Sequence, residues 1–153
     1  DTFKLYIDIA NKELKELVKR VDLFCINFNE ARAISGMDGS DLISMSKAIL
    51  QLGPKSLIIK DGEHGSHYFD SNNHFSMKAI PVKEVIDTTG AGDAYIGGIL
   101  MGIMQGLDIL ESMKHGAVTA SFCIEGVGVN GLLDFSQKEF DNRLQWMHSN
   151  HTS

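Results

Sequence analysis

No apolar run in this 153-residue chain is long enough to cross a bilayer, no signal-peptide pattern opens it, and no cluster of Lys or Arg stands anywhere along it. With 14 basic against 20 acidic residues the net charge is −6, which leaves no electrostatic footprint for nucleic acid or an anionic membrane. The chain is therefore expected to be soluble and cytoplasmic, with neither of those partners. Cysteine is scarce. Cys25 and Cys123 stand in Leu-Phe-Cys-Ile and Ser-Phe-Cys-Ile, contexts that suit buried, reduced thiols rather than a disulfide. Internal repeats, low-complexity tracts and interdomain linkers are also missing, and the length suits one domain, which at this size buries about 70% of its unfolded surface.

What is present alternates between short apolar runs and amphipathic segments. Residues 4–9 read as a strand, and 12–20 as a helix with Leu14, Leu17 and Val18 on one face. Residues 21–26 form a continuous apolar run of the kind a doubly covered parallel strand needs. A short helix through Glu30 and Ile34 stops at Gly36, Ser40 caps the next one, and that helix ends at Leu52-Gly53-Pro54. Residues 56–60 read as a second buried strand, and 66–70 with 74–78 as a hairpin around Ser71-Asn72-Asn73. The helix over 91–105 is apolar nearly all round and is expected to be buried, with Gly97, Gly98 and Gly102 allowing close backbone packing. A further helix spans 108–125, Gly126-Val127-Gly128 breaks it, and a capping box at Ser136 and Glu139 opens the last, with Phe140, Leu144 and Met147 inward. Met101, Met104 and Met113 read as core filler, and His64, His67, His148 and His151 as surface residues without metal-ligand spacing.

The chemistry concentrates in residues 87–100, Asp-Thr-Thr-Gly-Ala-Gly-Asp-Ala-Tyr-Ile-Gly-Gly-Ile-Leu. Gly90, Ala91 and Gly92 offer almost no side chain to block a ligand, and the amides that open a helix lack intrahelical partners, so they can converge on a phosphate. Asp93 follows inside the first turn. A carboxylate repels an anion, but it has a purpose there if it accepts a proton from an attacking hydroxyl. No Lys follows Gly92 as a P-loop requires, and Tyr95 stands where a dinucleotide fingerprint needs its third glycine. No Gly-x-Ser-x-Gly elbow marks a serine nucleophile either. A tight strand-to-helix turn remains the plain structural alternative.

The run from Asp87 to Leu100 resembles the C-terminal signature of the ribokinase-like (PfkB) carbohydrate kinases. The resemblance implies an α/β fold: a ribokinase-like three-layer sandwich fragment with a mostly parallel sheet, helices on both faces and a local β-hairpin. It implies ATP-dependent phosphoryl transfer to a hydroxyl of a sugar or related alcohol, with Asp93 as catalytic base and the backbone of Gly90, Ala91, Gly92 and Asp93 as the anion hole. Asn27-Phe28-Asn29-Glu30 matches the family's Asn-x-x-Glu motif, so Asn27 is assigned to the phosphates and Glu30 to the hydration shell of Mg²⁺. The same four residues are also a common helix start.

Lys60, Gly62 and Gly65 resemble the nucleotide-contacting segment, although a hairpin turn explains the two glycines equally well. His115, Gly116 and Ala117 are the candidate wall for adenine. Asp87 and the Thr89 carbonyl, with the loop 126–130, match a monovalent cation site, K⁺ by resemblance; Asp87 also suits a turn that bonds its own backbone. The sequence has no initiating Met, and the resemblance covers only the C-terminal, nucleotide-binding half of the family's chains. The N-terminal half, carrying sugar contacts and lid, is expected to be absent, which would leave residues 1–153 inactive alone and leaves room for a homodimer of the full-length parent. A nucleoside or vitamin kinase of the same fold, or a non-catalytic nucleotide-binding module, are the alternatives.

Overall fold

The structure, a computed structural model, describes residues 11–37 and 41–150; the strand read at 4–9, the cap at Ser40 and the tail residue His151 lie outside them. Two compact units divide the chain, one running to Gly62 and including Ser66–Ser76, the other comprising Glu63–Gly65 and Met77 onwards.

The first unit contains α1 (Asn11–Val18), β1 (Leu23–Asn27), α2 (Phe28–Ser35), α3 (Leu42–Leu50), β2 (Ser56–Lys60) and β3 (Ser66–Asp70), and β4 (His74–Met77) completes a four-stranded sheet in the order β1-β2-β3-β4. β1 and β2 pair in parallel from Leu23↔Ser56 to Asn27↔Lys60, while β2 and β3 pair antiparallel, so the described sheet is mixed and open. Phe24, Ile26, Leu57, Ile59 and Phe69 meet Val18, Ala31, Ile34 and Ile49 in one core. Cys25 and Ile58, alternating to the opposite face, are buried as well, which is why β1 and β2 read as continuous apolar runs. Leu17, expected on the inner face of α1, is 60% exposed, because Leu14 and Val18 already supply that helix's core contacts.

Local signals set the connections. Gly36 ends α2 in the left-handed region at φ +70°, donating to the Arg32 carbonyl at 3.0 Å. Asp41 caps α3, its Oδ1 accepting from the Ile43 amide, in place of the cap expected one residue earlier. Asp70 accepts the amides of Asn72 and Asn73 at 2.7 Å and closes the hairpin turn.

The second unit holds α4 (Ala91–Met104), α5 (Ile109–Cys123) and α6 (Gln137–Asn150). α4 and α5 pack backbone to backbone: a Cβ added at Gly98 would lie 2.6 Å from the His115 carbonyl oxygen, and one at Gly102 would lie 2.8 Å from Ser112 Cα. Gly97 does not share this reason, since nothing stands within 4 Å of its added Cβ. Nor is α4 buried all round. Ala94, Tyr95, Gly98, Ile99 and Gly102 form its buried stripe, whereas Leu100, Ile103 and Met104 are exposed, Met104 at 87%. Met101 is also exposed, so among the three methionines only Met113 fills core. The capping box at α6 forms as expected, with Ser136 N donating to Glu139 Oε2 at 2.8 Å. Phe140 and Met147 are buried, and Arg143 lies 3.8 Å over the Phe122 ring while donating to Ser121 Oγ. Among the described residues no helix is long and apolar enough to cross a membrane.

Candidate functional site

Parallel pairing places both carboxyl ends of β1 and β2 at one edge, where open α/β sheets present their ligand-binding groups. Asn27 and Lys60 are register partners there, 33 residues apart in sequence. Asn27 is also the N-cap of α2. Its Oδ1 accepts from Glu30 N at 2.9 Å, and Glu30 Oε2 accepts from Asn27 N at 2.8 Å, a complete capping box. Glu30 is buried, 8% exposed, yet only one of its carboxylate oxygens is engaged by that bond. A carboxylate with a spare oxygen fits the task of holding a water of a hard cation such as Mg²⁺.

The two glycines after Lys60 have different reasons. Gly62 sits at φ +55° with open space around its would-be Cβ, so a ligand can approach its backbone. Gly65, at φ +94°, lies so close to the Met77 carbonyl that a Cβ would be 1.9 Å away. Packing alone demands that glycine.

In the second unit no strand directly precedes the turn; a loop from residue 78 leads into it, and the turn is built around Gly90, the N-cap of α4, in the left-handed region at φ +82°. Ala91 N donates back to the Thr88 carbonyl at 3.2 Å, and Ala94 N begins the helical ladder on the Gly90 carbonyl at 2.8 Å. The Ala91 amide is thus committed to the turn, leaving Gly92 and Asp93 as the helix-opening amides for an anion. Asp93 is exposed at the same point.

Asp87 braces this turn. Its Oδ1 accepts from Thr89 N at 2.9 Å and its Oδ2 from Gly128 N at 2.8 Å, and these backbone bonds, Thr89 first, hold its carboxyl below the usual aspartate range. The bracing is complete above the ordinary aspartate range and is lost as pH falls through the lowered value. Cys123, read from sequence as a plain buried thiol, lies 3.6 Å from the Thr89 carbonyl oxygen and 3.4 Å from that of Gly128. Nothing local in the sequence marks this, since 34 residues separate Cys123 from Thr89. The Asp87 carboxylate with the Thr89 and Gly128 carbonyls is an oxygen set whose chemistry suits a monovalent cation.

The residues read as an adenine wall are enclosed by their own helices. His115 is 8% exposed and donates from Nδ1 to the Glu111 carbonyl, Ala117 is 9% exposed, and a Cβ at Gly116 would lie 2.7 Å from the Tyr95 carbonyl.

A sequence profile described as pfkB family carbohydrate kinase matches residues 3–134. A ribokinase of Arabidopsis thaliana is 29% identical over 117 residues, 74% of this chain and 31% of that one. A cytidine kinase of Thermococcus kodakarensis is 33% identical over 105 residues, 67% and 37% of the two chains. The solved structure of Arabidopsis thaliana ribokinase complexed with ribose and ATP is similar at TM-score 0.76 and 26% identity, over 86% of this chain and 43% of that one. The structure of a putative ribokinase II from E. coli in complex with ATP and Mg²⁺ is similar in fold, with TM-score 0.78 and 23% identity over 95% and 47%. The chain spans less than half the length of each of these proteins.

Proposed function

Because the chain belongs to the pfkB family of carbohydrate kinases, we propose that it forms the nucleotide-binding part of an enzyme that transfers a phosphoryl group from ATP to a hydroxyl of a sugar or related alcohol. The observation that carries this reading is the turn at Gly90, which leaves two helix-opening amides without a partner among the described residues, beside an exposed carboxylate. The amides of Gly92 and Asp93 would stabilise charge on the transferred group, and Asp93 would accept the proton of the attacking hydroxyl. Phosphoryl transfer leaves little covalent work to the protein, so positioning and electrostatics are what these groups supply.

Asn27, Lys60 and Gly62 would meet the phosphates and ribose of the nucleotide. His115, Gly116 and Ala117 would back the adenine from within their helix. Glu30 would hold Mg²⁺ through water, and Asp87 with the Thr89 carbonyl would hold a monovalent cation such as K⁺; when bound, these cations neutralise phosphate charge and stiffen the turn. Glu30→Gln is expected to raise the Mg²⁺ concentration for half-maximal rate severalfold, with little change in the sugar KM. A shift confined to the sugar KM would remove Glu30 from metal binding.

The cytidine kinase relative favours a second acceptor class, a nucleoside. ATP consumption by the full-length protein across a panel of sugars and nucleosides decides between the two. Turnover with neither, alongside retained ADP binding, would make the protein a nucleotide-binding module. Residues 1–153 alone are expected to give no sugar-dependent turnover in the same assay, because orienting the acceptor hydroxyl takes groups beyond a phosphate site.

A further inference from the structure

The turn that opens α4 is not held by its own residues alone. Ile86 N and Asp87 N donate to the Ile124 carbonyl at 2.8 and 3.4 Å, Asp87 Oδ2 accepts from Gly128 N, and a Cβ at Gly90 would lie 3.0 Å from Val129 Cγ1. The loop following α5 is itself pressed against that helix, since a Cβ at Gly131 would fall 2.0 Å from the Phe122 carbonyl oxygen. At the centre of these contacts is Cys123, the last residue of α5, with 0% of its surface exposed. Its thiol faces the carbonyls of Thr89 and Gly128 at 3.6 and 3.4 Å.

We propose that Cys123 is a positioning residue for phosphoryl transfer: its single S–H, shared between the Thr89 and Gly128 carbonyls, holds the two near one another, and so sets the direction in which the Gly92 and Asp93 amides point. The inference rests on the anion-hole reading above. The Thr89 carbonyl belongs to the peptide that leads into Gly90, and rotation of that peptide changes how the first turn of α4 begins. A thiol is a weak donor, but here it meets carbonyls in a place closed to water, where a lost partner costs more than the bond itself contributes.

The test uses the full-length protein at fixed Mg²⁺ and K⁺. Inorganic phosphate is titrated while the amide resonances of Gly92 and Asp93 are followed by NMR, and kcat and the sugar KM are measured in parallel. Cys123→Val removes the donor but keeps apolar bulk. It is expected to weaken phosphate binding and lower kcat by about 3- to 10-fold, with the sugar KM unchanged. Cys123→Ser restores a donor and should return both to within about twofold of wild type. Cys123→Ala serves in place of the valine variant should that one fail to fold, and Cys25→Val, at the other buried thiol, should leave phosphate binding intact. Wild-type phosphate binding and kcat in Cys123→Val or Cys123→Ala would overturn the proposal. Absence of any phosphate-induced shift at Gly92 and Asp93 in the wild type would overturn the anion-hole reading, and this inference with it.

Discussion

Asp93→Asn in the full-length protein should keep nucleotide affinity within about threefold and lower kcat by roughly 10²- to 10⁴-fold, the usual contribution of a positioned general base. Asn has nearly the same shape, and Asp93 is exposed in the first turn of α4, so neither the core nor the Gly90 turn depends on its charge. What the substitution removes is a proton acceptor beside the helix-opening amides. It also removes a negative charge that repels phosphate, so nucleotide binding should hold or tighten slightly while turnover falls. Steady-state kinetics and ADP titration separate the two effects. Wild-type turnover in this variant would take Asp93 out of the mechanism, and a loss confined to the KM for ATP would make it a binding residue.

The second large effect is on stability, and it turns on two adjacent glycines of α4. Gly98→Ala should destabilise the protein by about 1–3 kcal/mol, in the range of an overpacked core. Its Cβ would stand 2.6 Å from the His115 carbonyl oxygen, 2.6 Å from Thr119 Oγ1 and 2.7 Å from Gly116 Cα. Two of these three are backbone atoms that cannot swing aside. The gain in helix propensity, up to about 1 kcal/mol, is too small to offset that clash. Gly97→Ala has the propensity gain without the clash, because nothing lies within 4 Å of its Cβ, and should stabilise by up to about 1 kcal/mol. Denaturant unfolding of the two variants should therefore move in opposite directions from wild type. Equal stability of both would show that α4 and α5 do not meet as closely as these distances require.

Those two glycines also show where the sequence stops being informative. The segment 91–105 is apolar on every side, so its pattern identified a helix without saying which stripe faces α5. Gly98 and Gly102 turned out to lie on that stripe, Gly97 off it, and Leu100, Ile103 and Met104 on the exposed side. The Asn27 to Glu30 motif was legible in another sense. The spacing alone foretells a capping box, and the box is present, but a box forms whether or not Glu30 also holds a metal's water. Lys60 could be placed at a strand end from its own neighbours, yet its pairing with Asn27 required the register of β1 on β2.

By itself the sequence determined what is settled within about one turn of chain. The αL stop at Gly36, the Asp70 hairpin turn, the Ser136 and Glu139 cap, and the Gly90 turn with Asp93 just beyond it all follow from backbone torsion preferences and hydrogen bonds spanning two to four residues. Only the tertiary structure decided which distant groups meet: Asn27 with Lys60, Asp87 with Gly128, and Cys123 with Thr89. The reason is physical. A thiol or an amide 34 or 41 residues away is brought to its partner by the packing of whole helices and strands, an outcome of buried area and backbone fit that no short stretch of sequence encodes.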